Sequence, residues 1–475
     1  MKICITLEGS YPYVRGGVSS WAHNLIRANP QHEYILWVIG AKAEDRGKFK
    51  YELPENVIAV HEVFMDDALR RTATRKDFRK FSEEELAALR ELVICGEPDW
   101  EVLFRLYNKE KANPAAFLMS QDFLDILLEI CQKEYPHVAF ADFFHTVRSI
   151  LLPILHLMNQ DAPQADIYHA TATGYGGMMS AMGAWRYSRP YVLTEHGIYT
   201  REREEEILRA KWVIPSFRKQ WIDMFYMLSR CAYTRANQVT SLFQRYSDMQ
   251  AELGCDRSKL KIIGNGIHSE RFGNIPLIKI DNWIDIAAVI RLHPIKDVKS
   301  MIYAFFALKQ RVPNVRLHIL GDVDDEEYAQ ECRELIEQLQ VSDIIMPGNV
   351  DVAKYLEQID FTLLTSISEG QPLSILESLA AERTCIATDV GDCRGLLEGD
   401  GRDDYGKAGI IVPTMHPQAL ADAMELLILR PDMRREMGRA GKKRVNRFFS
   451  HGDMVRQYNE TYEEVLGTWR ELDSN

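Results

Sequence analysis

Residues 360–380 read DFTLLTSISEGQPLSILESLA and pass from an apolar strand through a short loop into an apolar helix. Glu369 and Gly370 lie in the loop, Pro372 suits the first position of the helix, and Glu377 lies about five residues into it. Strand, loop and helix in this order form the unit of a parallel, helix-covered sheet. Ligands bind at the carboxyl ends of the strands in such sheets, so we expect both glutamates to carry chemistry.

The same alternation of strands and helices runs along nearly the whole chain in two series. Each series predicts a doubly wound α/β domain, because parallel strands need crossover connections that are usually helical. A stretch rich in Gly, Pro and polar residues at 271–283 separates the series, which places the first domain at residues 1–275 and the second at 276–451. The strand-like runs are KICITLEG (2–9), EYILWVIG (33–40), ADIYHATA (165–172), PYVLTEHG (190–197), QVTSLF (238–243), KLKIIGNG (259–266), IDIAAVIRL (284–292), VRLHILGD (315–322), IIMPGNV (344–350), FTLLTSIS (361–368) and TCIATDVG (384–391).

Two helical segments stand outside this alternation. Residues 64–135 are rich in charged residues and largely helical by pattern, so we interpret them as an inserted peripheral cap or partner surface, or simply as a solvated face. A C-terminal helix at about 452–475 is amphipathic, with Tyr458 and Tyr462 on its apolar face. We expect this helix to pack back on the first domain.

Composition excludes several functional classes. The chain has 475 residues, of which 46% are hydrophobic and 27% charged, and this is ordinary for a globular protein of two or three domains. A formal net charge of -12 argues against nucleic acid as a partner. The eight cysteines form no CxxC pair or His/Cys cluster, which indicates reduced thiols and no metal site. No apolar run reaches the roughly 18 residues of a membrane span, and no signal-peptide pattern is seen, so we expect a cytoplasmic protein.

Two strand ends in the first series carry candidate ligand-binding groups. Gly16 and Gly17 stand directly before a helix, where a backbone without side chains lets a phosphate or sugar approach the helix amides, although a simple tight turn explains them equally well. His196 follows a buried strand run and can hydrogen-bond a substrate hydroxyl or stabilise developing charge. A structural histidine bonded to backbone is the alternative.

One strand end in the second series carries two cations. Arg291 ends the strand and Lys296 follows it in the loop. Arginine offers a planar fork to phosphate oxygens and lysine offers a compact charge, so together they could neutralise a leaving diphosphate without a metal. Taken alone, the pair is also compatible with ordinary surface charge.

The two glutamates can serve different parts of one ligand. Glu369, at the mouth of the helix, can accept hydrogen bonds from sugar hydroxyls, and Glu377 can accept both hydroxyls of a ribose. The other candidates for donor binding, each also compatible with an ordinary turn, are Gly370, Gln371, Pro372, Leu373 and Ser374 beside Glu369, and Asn265, Gly321, Val350 and Asp351 at other strand ends.

Taken together, these residues resemble the retaining GT-B glycosyltransferases of family 4. More narrowly, YPYVRGGVSSW, TEHGIYTRERE, RLHPIKDVK and TSISEGQPLSILE are similar to the cytosolic glycosyltransferases of Pel exopolysaccharide synthesis, as is the helical insertion. His268 and the stretch VGDCRGLLE (390–398) depart from the family pattern, which leaves donor and acceptor specificity open. The matching positions are Gly16 and Gly17, Asn265 with Gly266, Arg291 and Lys296, and the Glu-x7-Glu pair Glu369 and Glu377.

The resemblance implies a GT-B fold in which two Rossmann-like, doubly wound domains face a central cleft. It implies a UDP-sugar donor of the glucose or N-acetylhexosamine type, a polysaccharide acceptor, no cofactor or metal, and docking to inner-membrane Pel-type synthase subunits from the cytoplasmic side. By the same resemblance, Arg291 and Lys296 would hold the diphosphate, Glu377 the ribose, Glu369 the transferred sugar, and His196 would lie near its C6 hydroxyl.

Retaining transfer at such a site needs no carboxylate nucleophile if the leaving phosphate takes the acceptor proton while Arg291 and Lys296 stabilise its growing charge. Glu369 and Glu377 are therefore not interpreted as the acid and base of a glycoside hydrolase, which flank one scissile bond. Two alternatives remain: a nucleotide-sugar sensor or scaffold that licenses a partner polymerase, and a sugar-nucleotide epimerase.

Overall fold

A computed structural model describes residues 1–473, which divide into two compact units. The first unit comprises residues 1–263 together with the chain from Gln457 onward, and the second comprises Gly264–Arg456. The division after residue 263 lies slightly before the boundary predicted between residues 275 and 276. No helix among the described residues is long and apolar enough to cross a membrane.

The first unit is built on a seven-stranded sheet in which all neighbouring strands run parallel. Its strands are β1 (Lys2–Glu8), β2 (Glu33–Gly40), β3 (Val57–Phe64), β4 (Ile167–Ala170), β5 (Tyr191–Glu195), β6 (Gln238–Ser241) and β7 (Leu260–Ile262). Their spatial order is β3-β2-β1-β4-β5-β6-β7, so the order reverses between β1 and β4. The central strands are almost wholly buried, which explains their continuous apolar sequences.

Helices connect these strands and cover the sheet. They are α1 (Gly17–Arg27), α2 (Glu83–Val93), α3 (Trp100–Phe104), α4 (Pro114–Leu118), α5 (Gln121–Glu134), α6 (Phe140–Met158), α7 (Tyr175–Tyr187), α8 (Tyr199–Arg209), α9 (Arg218–Arg235) and α10 (Gln244–Glu252), with a π-helical turn at Arg105–Lys109.

The segment 64–135 is largely helical, as its pattern indicates, and contributes α2 to α5. Its apolar side chains belong to the same core as the sheet: Leu89 and Phe104 are fully buried in one cluster with Trp37 of β2. The segment is therefore an integral layer of the first unit, whose outer face carries the charged residues.

The second unit is built on a six-stranded parallel sheet. Its strands are β8 (Ile284–Val289), β9 (Val315–Leu320), β10 (Ile344–Gly348), β11 (Phe361–Leu364), β12 (Cys385–Thr388) and β13 (Gly409–Val412), in the order β10-β9-β8-β11-β12-β13. Its helices are α11 (Ser269–Phe272), α12 (Val298–Lys309), α13 (Glu326–Leu339), α14 (Val352–Tyr355), α15 (Leu373–Ala380), α16 (Cys393–Glu398), α17 (Pro417–Leu429) and α18 (Pro431–Phe448).

The last helix is α19 (His451–Asp473). Within the first unit, the Tyr462 hydroxyl and a ring nitrogen of His169 in β4 lie 2.7 Å apart, and Asn459 donates to Asn29 over 2.7 Å. Tyr462 is fully buried there. The apolar face that the sequence places on this helix is thus a packed face.

Two Rossmann-like parallel sheets connected by helices confirm the predicted α/β fold class. The sequence patterns located eleven of the strands but not β3 or β13, each of which lies at one edge of its sheet. The apolar sequence of β3 is interrupted by His61 and Glu62, and β13 is only four residues long.

Candidate functional site

The candidate site in the second unit lies where the strand order reverses. β8 and β11 are hydrogen-bonded neighbours, with Ala287 paired to Thr362, but the chain leaves them towards opposite edges of the sheet. Loops that diverge in this way leave a crevice at the carboxyl ends of the two strands. Lys296 follows β8 and Glu369 follows β11, so topology brings together residues that are far apart in sequence.

Lys296 and Glu369 form an ion pair in this crevice. The Lys296 Nζ atom lies 2.5 Å from Glu369 Oε1, and the two side chains are only 19% and 13% exposed. The Ser366 hydroxyl donates to the same carboxylate oxygen over 2.5 Å, and the Thr365 hydroxyl donates to the Lys296 carbonyl over 2.7 Å. A shielded pair with these additional bonds holds the lysine side chain in one orientation.

Arg291 lies at the start of the same loop but has a different partner. Its Nη1 atom lies 2.8 Å from Asp324 Oδ2, and its side chain is about half exposed. The loops after β8 and β9 are aligned by a bridge between Leu292 and Val323. The structure therefore places Arg291 and Lys296 on one loop and pairs each with a carboxylate, while their joint binding of a phosphate stays a prediction.

Glu377 is the fifth residue of α15, and the helix begins at Leu373, one residue after Pro372. Burial raises the pKa of Glu377 to about 7, an effect that the nearby positive charge of Arg271 partly opposes. No residue in the range 1–473 makes a hydrogen bond to its carboxylate, whereas Arg271 is paired with Asp351 at 2.8 Å. A half-buried carboxylate with free lone pairs is suited to accept two hydroxyl groups.

The loop between β11 and α15, residues 365–372, is tied to two other loops. Gln371 accepts two hydrogen bonds from Asn265: the backbone N–H of Asn265 donates to Gln371 Oε1 over 2.6 Å, and Asn265 Nδ2 donates to the Gln371 carbonyl over 3.0 Å. Gln371 Nε2 donates to Asp392 Oδ2 over 2.7 Å. The structure thus joins Asn265 and Gln371, which the sequence patterns only placed at separate turns, and adds Asp392.

The other predicted turn residues serve the packing of strand ends. Gly321 has a φ of +148°, and a Cβ atom there would lie 1.9 Å from the carbonyl oxygen of Ile290, so no larger residue fits. Asp351 caps α14 through its side chain, and the preceding Val350 is half-buried. These contacts account for the local sequence and leave their predicted part in donor binding open.

In the first unit, Gly16 and Gly17 occupy the N-terminus of α1, directly after the β1 loop. A Cβ atom at either position would meet nothing within 4 Å, so the backbone here is open. His196 follows β5 directly, and its ring packs against Trp21 of α1 with centroids 4.6 Å apart. Burial lowers the pKa of His196 to about 4, so the ring is neutral at pH 7. Its buried Nε2 atom has no hydrogen-bond partner among the described residues.

The sequence patterns missed two carboxylates at the same edge of the first sheet. Glu8, the last residue of β1, accepts hydrogen bonds from the Tyr199 hydroxyl over 2.7 Å and from the Gly176 amide over 3.1 Å. Glu195, the last residue of β5, accepts one from the Tyr233 hydroxyl over 2.5 Å. Burial raises the pKa of both carboxyl groups. A charged residue that ends an apolar strand was the available signal.

All eight cysteines are buried free thiols. Within the part of the chain that the structure describes, no group of three or more His, Cys, Asp or Glu side chains is arranged to hold a metal ion.

Two family models match the chain. Residues 1–258 match a family described as "Domain of unknown function (DUF3492)", and residues 284–430 match "Glycosyl transferases group 1". The first match covers most of the first unit, and the second covers all strands of the second unit.

Individual relatives agree with the second match. The chain is 29% identical over 322 residues to EpsD of Bacillus subtilis (strain 168), which is named provisionally as a glycosyltransferase, and the match covers 64% of this chain and 78% of EpsD. It is 27% identical over 202 residues to WcaL of Escherichia coli (strain K12), named provisionally as a colanic acid biosynthesis glycosyltransferase, covering 40% of this chain and 48% of WcaL.

Solved structures share the fold. HepE of Anabaena in complex with UDP matches with a TM-score of 0.62 and 13% sequence identity over 98% of this chain and 100% of HepE. The same protein in complex with UDP-glucose gives a TM-score of 0.60, with 14% identity over 97% of this chain and 99% of HepE. A glycosyltransferase from Rickettsia africae matches with a TM-score of 0.59 and 17% identity over 98% of this chain and 99% of its own.

Proposed function

The chain belongs to the DUF3492 family, and its residues 284–430 match the group 1 glycosyl transferases; from this premise we propose that it transfers a sugar from a UDP-sugar to a growing exopolysaccharide, with retention of configuration and without a metal. The observation that carries the proposal is the crevice between the β8 and β11 loops. There a shielded Lys296–Glu369 pair and the unbonded carboxylate of Glu377 lie on the two segments that flank the reversal of strand order.

The donor is proposed from the chemistry of these groups. Lys296 supplies a fixed positive charge for a diphosphate. Arg291 supplies a second charge, which can leave its ion pair with Asp324 and bind a phosphate oxygen. Glu377 accepts hydrogen bonds from the two ribose hydroxyls. HepE, which shares the fold, binds UDP and UDP-glucose, which supports a uridine nucleotide. The transferred group is proposed to be a hexose or an N-acetylhexosamine.

The catalytic step follows from the same charges. When the bond between the anomeric carbon and the phosphate oxygen breaks, negative charge grows on the leaving diphosphate, and Lys296 and Arg291 stabilise it. That phosphate oxygen can take the proton of the attacking acceptor hydroxyl on the same face of the sugar. Glu369 holds Lys296 in one orientation, in addition to its proposed bonds to the sugar, and His196, being neutral, can exchange hydrogen bonds with a sugar hydroxyl.

The acceptor and cellular setting are proposed from similarity. The match to WcaL, whose name refers to colanic acid, supports an exopolysaccharide acceptor. The sequence stretches that resemble the cytosolic glycosyltransferases of Pel exopolysaccharide synthesis support a Pel-like polymer, a cytoplasmic location and docking to an inner-membrane synthase.

The test is transfer itself. The purified protein is incubated with UDP-glucose or UDP-N-acetylhexosamines and oligosaccharide acceptors, with and without EDTA, and the product is analysed by mass spectrometry and by NMR of the new anomeric centre. We expect a lengthened α-linked product from an α-linked donor, undiminished by EDTA. Donor binding without any transfer would instead favour a nucleotide-sugar sensor, and an isomerised donor would favour an epimerase.

A further inference from the structure

The side-chain amide of Gln371 is buried, and both its oxygen and its nitrogen make hydrogen bonds. It is 5% exposed, its Oε1 accepts the Asn265 amide over 2.6 Å, and its Nε2 donates to Asp392 Oδ2 over 2.7 Å. Only an amide side chain offers a donor and an acceptor side by side in this way. The loop between β11 and α15 (residues 365–372, the Glu369 loop) is thereby joined to the turn at 265 and to the loop after β12.

The loop after β12 also supports the backbone of the Glu369 loop directly. The Asp392 amide donates to the carbonyl of Gly370 over 2.9 Å. Gly391 has a φ of +53°, and a Cβ atom there would lie 2.2 Å from the carbonyl oxygen of Gly370 and 2.3 Å from that of Glu369. The backbone that carries Glu369 therefore rests on residues 391 and 392.

Asp392 explains the orientation of the Gln371 side-chain amide. Burial raises the pKa of the Asp392 carboxyl to about 6, with the hydrogen bond from Gln371 opposing the shift, so the group is mostly ionised above pH 7. A buried carboxylate needs a donor. The Nε2 end of Gln371 meets that need, which leaves its Oε1 end for the Asn265 amide. The stretch VGDCRGLLE, which departs from the family pattern, supplies this carboxylate.

We propose that Gln371 and Asp392 form a positioning pair that fixes the Glu369 loop, and with it the Lys296–Glu369 ion pair, in the geometry that binds and activates the donor. This inference rests on the proposed function and deepens it. The sequence assigned Gln371 to direct contact with the donor, whereas here it acts through Glu369. The Gln371–Asp392 pair depends on which residue donates the hydrogen bond and which accepts it, and substitution can reverse these two roles.

The inversion provides the test. Gln371→Glu sets a second carboxylate against Asp392, and we expect about tenfold weaker UDP-glucose binding by calorimetry, the cost of one hydrogen bond to a charged group. Asp392→Asn keeps an acceptor oxygen and costs less. The double variant Gln371→Glu/Asp392→Asn restores a donor–acceptor pair, and we expect most of the affinity to return. Gln371→Met removes both bonds and is not rescued by Asp392→Asn.

A matched control exists on the surface of the same unit. Gln418 Nε2 donates to Asp422 Oδ1 over 2.7 Å on the exposed face of α17, where Asp422 also accepts from Arg311, so Gln418→Glu and Asp422→Asn make the same substitutions outside the site. We expect no change in donor affinity from either. Circular dichroism and thermal unfolding confirm that each variant is folded at the assay temperature.

A second measurement separates positioning from a general loss of structure. In steady-state kinetics, Gln371→Met lowers kcat/KM in the wild-type background but has little further effect in Glu369→Ala, because its influence passes through Glu369. Equal losses in both backgrounds, or failure of the double variant to regain affinity, would overturn the proposal. If the wild-type protein binds no UDP-sugar at all, the proposed function fails instead.

Discussion

The raised pKa of Glu377 makes donor binding depend on pH. Its pKa of about 7 means that the carboxyl group is mostly protonated at pH 6 and mostly ionised at pH 8. Only the ionised group can accept hydrogen bonds on both of its oxygens, one from each ribose hydroxyl, because the protonated group carries a hydrogen on one of them. Binding therefore favours loss of the proton, and affinity for the donor rises as the pH rises.

The size of the effect follows from the fraction of ionised Glu377. That fraction increases from about one-eleventh at pH 6 to about ten-elevenths at pH 8, so the dissociation constant falls by about tenfold if only the ionised form binds. UDP-glucose is the suitable ligand. One phosphate of its diphosphate is esterified to the ribose and the other to the glucose, so neither has a proton that titrates in this range.

Isothermal titration calorimetry from pH 6 to pH 8 measures this directly. Glu377→Gln serves as the control: the amide cannot titrate, so we expect weaker binding that changes by no more than about twofold over the same range, the contribution of Asp392 with its carboxyl pKa of about 6. The reasoning is refuted if wild-type affinity does not change with pH, or if Glu377→Gln shows the same slope.

Three further predictions concern single groups. Lys296→Ala removes the shielded cation, and we expect kcat to fall by about 10²–10³, measured as UDP release; wild-type turnover would exclude the charge-stabilising role. Gly391→Ala forces a Cβ atom to within 2.2 Å of a backbone oxygen, so its urea midpoint falls further than that of Gly401→Ala, which has a positive φ but open space around it; equal shifts would contradict the clash. Tyr462→Phe leaves a buried nitrogen of His169 without its partner and lowers the free energy of unfolding by about 1–3 kcal/mol, measured by urea denaturation; no change would mean that water replaces the hydroxyl.

The central strands of the fold could be predicted because buried strands consist mainly of apolar residues. β1, β2 and β8 are buried over nearly their whole length and therefore read as continuous apolar runs. The run of β3 is interrupted by His61 and Glu62, and the apolar run of β13 is only four residues long. The glycine and charged residues after the strands could be assigned to the carboxyl edge of each sheet, because that placement depends only on strand direction, and their binding of ligands stays a prediction.

The contacts within the site could not be predicted in the same way. Whether Lys296 meets Glu369 depends on β8 lying next to β11, which is a property of strand order and not of either sequence stretch. The bonds of Gln371 to Asn265 and Asp392 likewise join three loops that are distant in sequence. Local patterns named one or two members of each contact but could not pair them.

A crystal structure of the protein with UDP tests the central claim most directly, because the donor nucleotide is proposed to bind in the crevice between the β8 and β11 loops. We expect the ribose hydroxyls within about 3 Å of the Glu377 carboxylate and a diphosphate oxygen within the same distance of Lys296 Nζ. UDP bound elsewhere, or bound in the crevice with its ribose away from Glu377 and its diphosphate away from Lys296, would contradict it.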